Sequence, residues 1–208
     1  MAGWYAMMAV AVFITGYVLA SHRARAVAGG DYAGMHSLPT YHGLYTASLA
    51  LLPAVFIFVV GSFIAGNLAT YSAISALPDP VQSDALKQGA ALREAINIVR
   101  GGSPDAASAE VRSAASNYGW VLSAGQWVTL ALGVLGGLAG LSWGLSRVSM
   151  NFRARNNFEK IVHGILWICA TIAVLTTIGI VFSVVGETYR FFFDPDIKGK
   201  PTVFEFLF

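Results

Sequence analysis

Four histidines and one cysteine are the side chains of this 208-residue chain best suited to metal or nucleophilic chemistry. His22, His36 and His42 fall in or beside one loop, and three imidazoles in one loop could begin a metal centre. Their separations of 14 and 6 residues match no ligand pair on a single helix face, and the nearest acidic companion is Asp31. His163 stands near the start of an apolar run, where an interfacial imidazole is ordinary. Cys169 lies inside that run with no adjacent base or cation to activate it, so it reads as an inert thiol. A lone cysteine also forms no intrachain disulfide. The sequence holds no GxxxxGK[ST] phosphate loop and no HExxH, CxxC or GxSxG motif. A haem-carrying bundle would need histidines facing each other at depth, and none occupies such a place. No catalytic, cofactor-binding or metal residue is therefore assigned, and no cofactor is expected.

The elements that would position these side chains are set by hydropathy. The chain is 56% hydrophobic and 12% charged, about half the charge of an average soluble domain, with a mean hydropathy of +0.62. A helix needs about 20 mostly apolar residues to cross the hydrocarbon of a bilayer. Residues 4–21, 43–65, 119–146 and 161–186 meet that requirement without one Asp, Glu, Lys or Arg. In lipid the backbone must satisfy its own hydrogen bonds, so these four stretches are expected as helices. The fold class is an all-α integral membrane protein of about four crossings, with a small helical cap over residues 66–118. A net charge of +2 without a basic stripe leaves nucleic-acid binding unsupported. No ionisable residue falls in the middle of a crossing. Such residues mark ion and proton paths by default, so this chain alone is not expected to translocate a charged substrate.

Cations near the helix ends set orientation. Arg23 and Arg25 follow the first run, and Arg147, Arg153, Arg155 and Lys160 fill the connection between the third and fourth. Both connections are expected to be cytoplasmic, with the N-terminus and C-terminus outside. The tail cations Arg190, Lys198 and Lys200 weaken that contrast. No Lys or Arg precedes the first run, so an uncleaved anchor fits it better than a signal peptide, for which Val18-Leu19-Ala20 would be the cleavage site.

Between the breakers Leu77-Pro78-Asp79-Pro80 and Gly101-Gly102-Ser103-Pro104, residues 83–100 read as a helix capped by Ser83 and stopped at Gly101. A second short helix is expected over 106–116. The outside segment reads as a small helical cap resting on the membrane surface, a solvated linker in its plain reading and a binding element in the alternative. Gly133, Gly136, Gly137, Gly140 and Gly144 repeat at spacings that put small residues on one face of the third crossing. Close helix approach is the physical use of such a face. Pro53 is expected to kink the second crossing.

Three stretches carry a family resemblance. They are His36-Ser37-Leu38-Pro39-Thr40-Tyr41-His42-Gly43-Leu44-Tyr45, then Asn151-Phe152-Arg153-Ala154-Arg155-Asn156 with Glu159-Lys160-Ile161-Val162, and finally Leu175-Thr176-Thr177-Ile178-Gly179 through Tyr189-Arg190-Phe191-Phe192 to Val203-Phe204-Glu205-Phe206-Leu207-Phe208. In order and separation they resemble the N-terminal region of PstC-type permease subunits of bacterial phosphate ABC importers. The resemblance implies an N-terminal membrane extension over 1–157, and the first helix of a permease core with an interfacial tail over 158–208. It also implies a bacterial inner-membrane location. The implied partners are a second permease subunit, an ABC ATPase that hydrolyses ATP on a separate chain, and a periplasmic phosphate-binding protein, besides membrane lipid. Family members continue beyond the position of Phe208 into further core helices, so no substrate-contacting residue and no ATPase-coupling loop is carried over. The expected function is non-catalytic: assembling or bracing the transporter. The alternative is a stand-alone accessory subunit of a larger respiratory or photosynthetic membrane complex.

Overall fold

The computed structural model describes residues 2–30, 32, 34–105, 107–193 and 204. Its described elements are helices: α1 (Ala2–Ala28), α2 (Pro39–Ser75), α3 (Asp79–Gln82), α4 (Ala85–Val99), α5 (Ala109–Ser146) and α6 (Ala154–Phe193). The chain divides into two compact units, Met1–Phe158 and Glu159–Phe208. Four helices, α1, α2, α5 and α6, are long and apolar enough to cross a membrane.

In the first unit, α1, α2 and α5 form a bundle. The helices α2 and α5 have 37 and 38 residues, or about 55 Å each at 1.5 Å per residue. That exceeds the roughly 30 Å of hydrocarbon in a bilayer, and the surplus goes to the cap. There Ala73 and Leu77 from the end of α2, Ala91 and Ala95 from α4, and Val111, Ala114 and Ala115 from the start of α5 form one buried cluster. The alanines let three helices approach closely enough to bury the larger Leu77 and Val111. The small helical cap expected between the second and third crossings is thus packed on extensions of both.

Several local expectations shift for identifiable reasons. The short helix expected over 106–116 does not stand alone: Ser108 caps it, accepting from the Val111 amide at 3.3 Å, and it runs unbroken into the third crossing. Nothing between Ala109 and Tyr118 breaks a helix, so the change from polar to apolar composition is a change of solvent along one rod. Residue Ala106 itself lies outside the described residues. The cap of α4 is Asp84, not Ser83. Its carboxylate accepts from the amides of Leu86 and Lys87 at 3.0 and 3.3 Å, while Ser83 ends α3. Those amide bonds, with a side-chain bond from Lys87, hold the Asp84 carboxyl below its usual value. Helix α4 stops before Gly101, whose φ of +106° suits glycine. Arg23 and Arg25 lie inside α1, and Arg155 and Lys160 inside α6, because helices continue through a headgroup region that hydropathy reads as loop.

The second unit consists, in its described part, of the remainder of α6 and Phe204. None of its described residues is buried. The hydroxyls of Thr171, Thr177 and Thr188 donate to carbonyls one turn back at 2.8, 2.9 and 2.8 Å, which satisfies them without a neighbour, as an apolar surrounding requires. Tyr189 stacks on Phe193 at 4.8 Å between ring centroids. The tail residues Lys198 and Lys200, with Val203 and residues 205–208, lie outside the described residues.

Candidate functional site

Two places in the first unit gather the residues that the sequence singles out: the seam of α5 against α2 and α1, and the end of the bundle where two connections meet.

The seam is built from small residues on both sides. A methyl group added at Gly144 would meet Thr46, one at Gly140 the backbone of Leu49 and Ala50, one at Gly136 Ile57 and Pro53, and one at Gly125 Ala65. The partners ascend along α2 as they descend along α5, so the helices are antiparallel, with Gly61 of α2 facing Thr129 of α5 in the same register. Gly133 and Gly137 serve α1 instead, admitting Tyr5 and Val12. The five glycines therefore face the groove between two neighbours.

Proline gives this seam a polar element. Pro53 has no N–H, so the carbonyl of Leu49, one turn earlier, lacks its helical donor. That carbonyl points at Gly140, close enough that a Cβ there would overlap it. Glycine, with no Cβ in the way, can turn a Cα hydrogen toward this carbonyl, a weak contact that recurs between close helices. One position along, the Tyr5 hydroxyl donates to the Ala54 carbonyl at 2.7 Å. The Tyr5 ring is buried and lies 4.4 Å from Phe58 between centroids. Tyr5 thus joins all three helices.

At the other end, the connection from α1 to α2 is tied to that from α5 to α6. The His36 amide donates to the Met150 carbonyl at 3.1 Å, and the Arg155 amide to the Ser37 hydroxyl at 3.3 Å. Phe152 packs beside His42 and Tyr45, with ring centroids at 5.8 and 5.2 Å. Ala20, Ala24 and Val148 close the space beneath, with Met35 and Leu145 against them. Three of the cations converge here with aromatic neighbours or near them: Arg155 lies 5.7 Å from the Tyr41 ring, and Arg147, which ends α5, lies 5.9 Å from Trp143. Arg153 immediately precedes α6. Arg23 and Arg25 are exposed on the last turns of α1. Lys160 belongs to the second unit.

The three histidines are not brought together as ligands. His22 is exposed on α1, His36 is exposed in the connection, and His42 is buried in the first turns of α2. Among the described residues no group of three His, Cys, Asp or Glu could hold a metal, and Asp31 lies outside them. The Nε2 of His42 and the hydroxyls of Ser21 and Thr46 are buried without a hydrogen-bond partner among the described residues.

Sequence reasoning missed Tyr5, Phe152, Ser37 and the α2 half of the seam. A sign of the last was present: Gly43, Ala47, Ala50, Ala54, Gly61, Ala65, Ala69 and Ala73 recur at intervals of three, four or seven along α2, the spacing of one helix face. Tyr5 was legible only as a polar tip in an apolar run.

A family model described as a phosphate ATP-binding cassette transporter matches residues 6–176. No curated protein and no solved structure matches the chain.

Proposed function

The chain belongs to this phosphate ATP-binding cassette transporter family, and from that premise we propose that it is a non-catalytic membrane part of the importer's permease, bracing the assembly. The observation that carries the reading is the backbone-close seam between α2 and α5, which fastens three helices and the cap into one unit. In lipid no hydrophobic force drives helices together, so packing of this quality has to come from small residues and polar contacts. Both are present along the seam, and no Asp, Glu, Lys or Arg stands inside it to carry a charged substrate. On this reading residues 1–157 are an extension, and α6 is the first helix of the transport core. The partners are a second permease subunit, an ATPase and a periplasmic phosphate-binding protein.

Orientation follows from the same reading. Arg23, Arg25, Arg147, Arg153, Arg155 and Lys160 act as topology determinants and face the cytoplasm of a bacterial inner membrane, with the cap outside. A cysteine introduced at Ser103 in a Cys169→Ala background should react with a membrane-impermeant maleimide added to intact spheroplasts. Protection of that cysteine until lysis would reverse the orientation.

The bracing role is tested by tagging the chain in its native membrane and identifying what co-purifies. An ATPase and a second permease subunit are expected, and Gly140→Leu should reduce their recovery at unchanged expression. Recovery of haem-bearing or pigment-bearing subunits instead would transfer the chain to the accessory-subunit reading.

A further inference from the structure

We infer that the cleft where α1 ends and α2 begins binds the phosphate of an anionic phospholipid headgroup. A cavity of about 270 Å³ lies there, lined by Arg25, Tyr32, Leu38, Pro39 and Thr40. Small-molecule pockets begin at roughly 300 Å³, so the space suits a headgroup fragment and not a large ligand. Gly29 and Gly30, with φ of +56° and +95°, turn the chain off the end of α1, and Tyr32 and Thr40 line the same cleft as Arg25.

The donors in this cleft are uncommitted. Among the described residues, the Arg25 guanidinium and the Tyr32 and Thr40 hydroxyls have no hydrogen-bond or ion-pair partner. A guanidinium presents five N–H donors in a planar fork that fits phosphate oxygens two at a time. The first turn of α2 also lacks a side-chain cap, which adds partial positive charge to the same space.

The surroundings select a lipid phosphate over a free one. Two candidate spans, Gly3–Ala28 and Pro39–Ser75, meet at this cleft, so it stands at the border of hydrocarbon and water in either orientation of the chain. Leu38, 56% exposed, supplies an apolar lip beside the cation, which matches a phosphodiester tethered to acyl chains. A free phosphate dianion would gain nothing from that lip and would lose hydration to a single arginine. Arg23, Arg147 and Arg153 stand at the same end of the first unit; Asp31 lies outside the described residues, and Glu159 follows Arg155 by one turn of α6. The field of these three arginines adds attraction for an anionic leaflet without setting a headgroup geometry.

The test is native mass spectrometry of the purified full chain titrated with equal amounts of phosphatidylglycerol and phosphatidylcholine. The wild-type chain should retain the anionic lipid about fivefold more than the zwitterionic one, the scale of one interfacial cation. Arg25→Gln should bring that ratio close to one, and the pair Tyr32→Phe with Thr40→Val should lower it by about half. Arg93→Gln, a cation of the cap, should leave it unchanged. Inorganic phosphate at the same concentration should not displace the lipid. Equal retention of both lipids by the wild-type chain, an unchanged ratio in Arg25→Gln, or displacement by inorganic phosphate would each overturn the assignment. If Arg25→Gln is not recovered folded, the hydroxyl pair decides alone: a lowered ratio supports the site and an unchanged one removes it.

Discussion

Gly140→Ala should destabilise this protein, whereas Gly66→Ala, the same change on the facing helix, should not. A methyl group at Gly140 would stand 2.7 Å from the Leu49 carbonyl carbon and 3.0 Å from the Ala50 Cα, and would overlap the Leu49 oxygen. These are backbone atoms, so no side-chain rotation relieves the clash and the helices must separate. Overpacking of a tight interface costs about 1–3 kcal/mol, and a contact with main chain belongs at the upper end. Alanine returns about 1 kcal/mol of helix propensity, leaving a net loss of roughly 2 kcal/mol. At Gly66 a methyl group meets nothing within 4 Å, so only the propensity gain of up to about 1 kcal/mol remains. With about 2–4 °C per kcal/mol for a chain of this size, Gly140→Ala should lower the detergent-solubilised melting midpoint by about 4–8 °C. Gly66→Ala should hold it or raise it slightly. Tryptophan fluorescence during a thermal ramp reads both. A Gly140→Ala midpoint equal to or above wild type would show that α2 and α5 do not approach at this register, and the argument from Pro53 and the Leu49 carbonyl would fall with it.

Three further outcomes are expected on the same preparation. Tyr5→Phe removes the hydrogen bond to the Ala54 carbonyl while keeping the ring, and should cost about 1 kcal/mol; an unchanged midpoint would mean the hydroxyl does not fasten α1. Thr46→Val replaces a buried hydroxyl that has no partner among the described residues by a methyl of the same shape, and should hold or raise the midpoint, so a clear loss would show that Thr46 is satisfied. In the cap, Ser108→Ala removes the capping bond at the start of α5 and should cost about 1 kcal/mol, read as faster amide exchange over the first turn of α5. Asp84 supplies the pH dependence of that cap: its folded carboxyl is held below the usual value by the Lys87 and Leu86 amides. Its stabilisation is therefore complete above the ordinary carboxylate range and fades as pH falls through the depressed folded value. Protection of the Leu86 and Lys87 amides should follow that course and become flat in Asp84→Asn.

The amino-acid sequence by itself determined the number and kind of the long elements. Apolar runs of about 20 residues without charge leave the backbone no solvent but itself, so helices follow from composition alone. Hydropathy is a sum over neighbours in the chain, which is why it located four crossings yet ended the first early at Ser21 and began the fourth late at Ile161: it detects solvent, and helices cross solvent boundaries. The glycine spacing on α5 was equally local, since a face needs only a period. What the glycines face belongs to tertiary structure. The opposition of Gly140 to the carbonyl that Pro53 releases, the reach of Tyr5 across Gly133 to Ala54, and the tie between Ser37 and the Arg155 amide each join residues far apart in sequence. No window contains such pairs, and many registers would satisfy hydropathy equally. One is selected because shape complementarity is a property of two surfaces together: in this register Gly140 and Gly144 meet the backbone of α2, while Gly136, Gly125 and Gly61 each make room for a side chain of the facing helix.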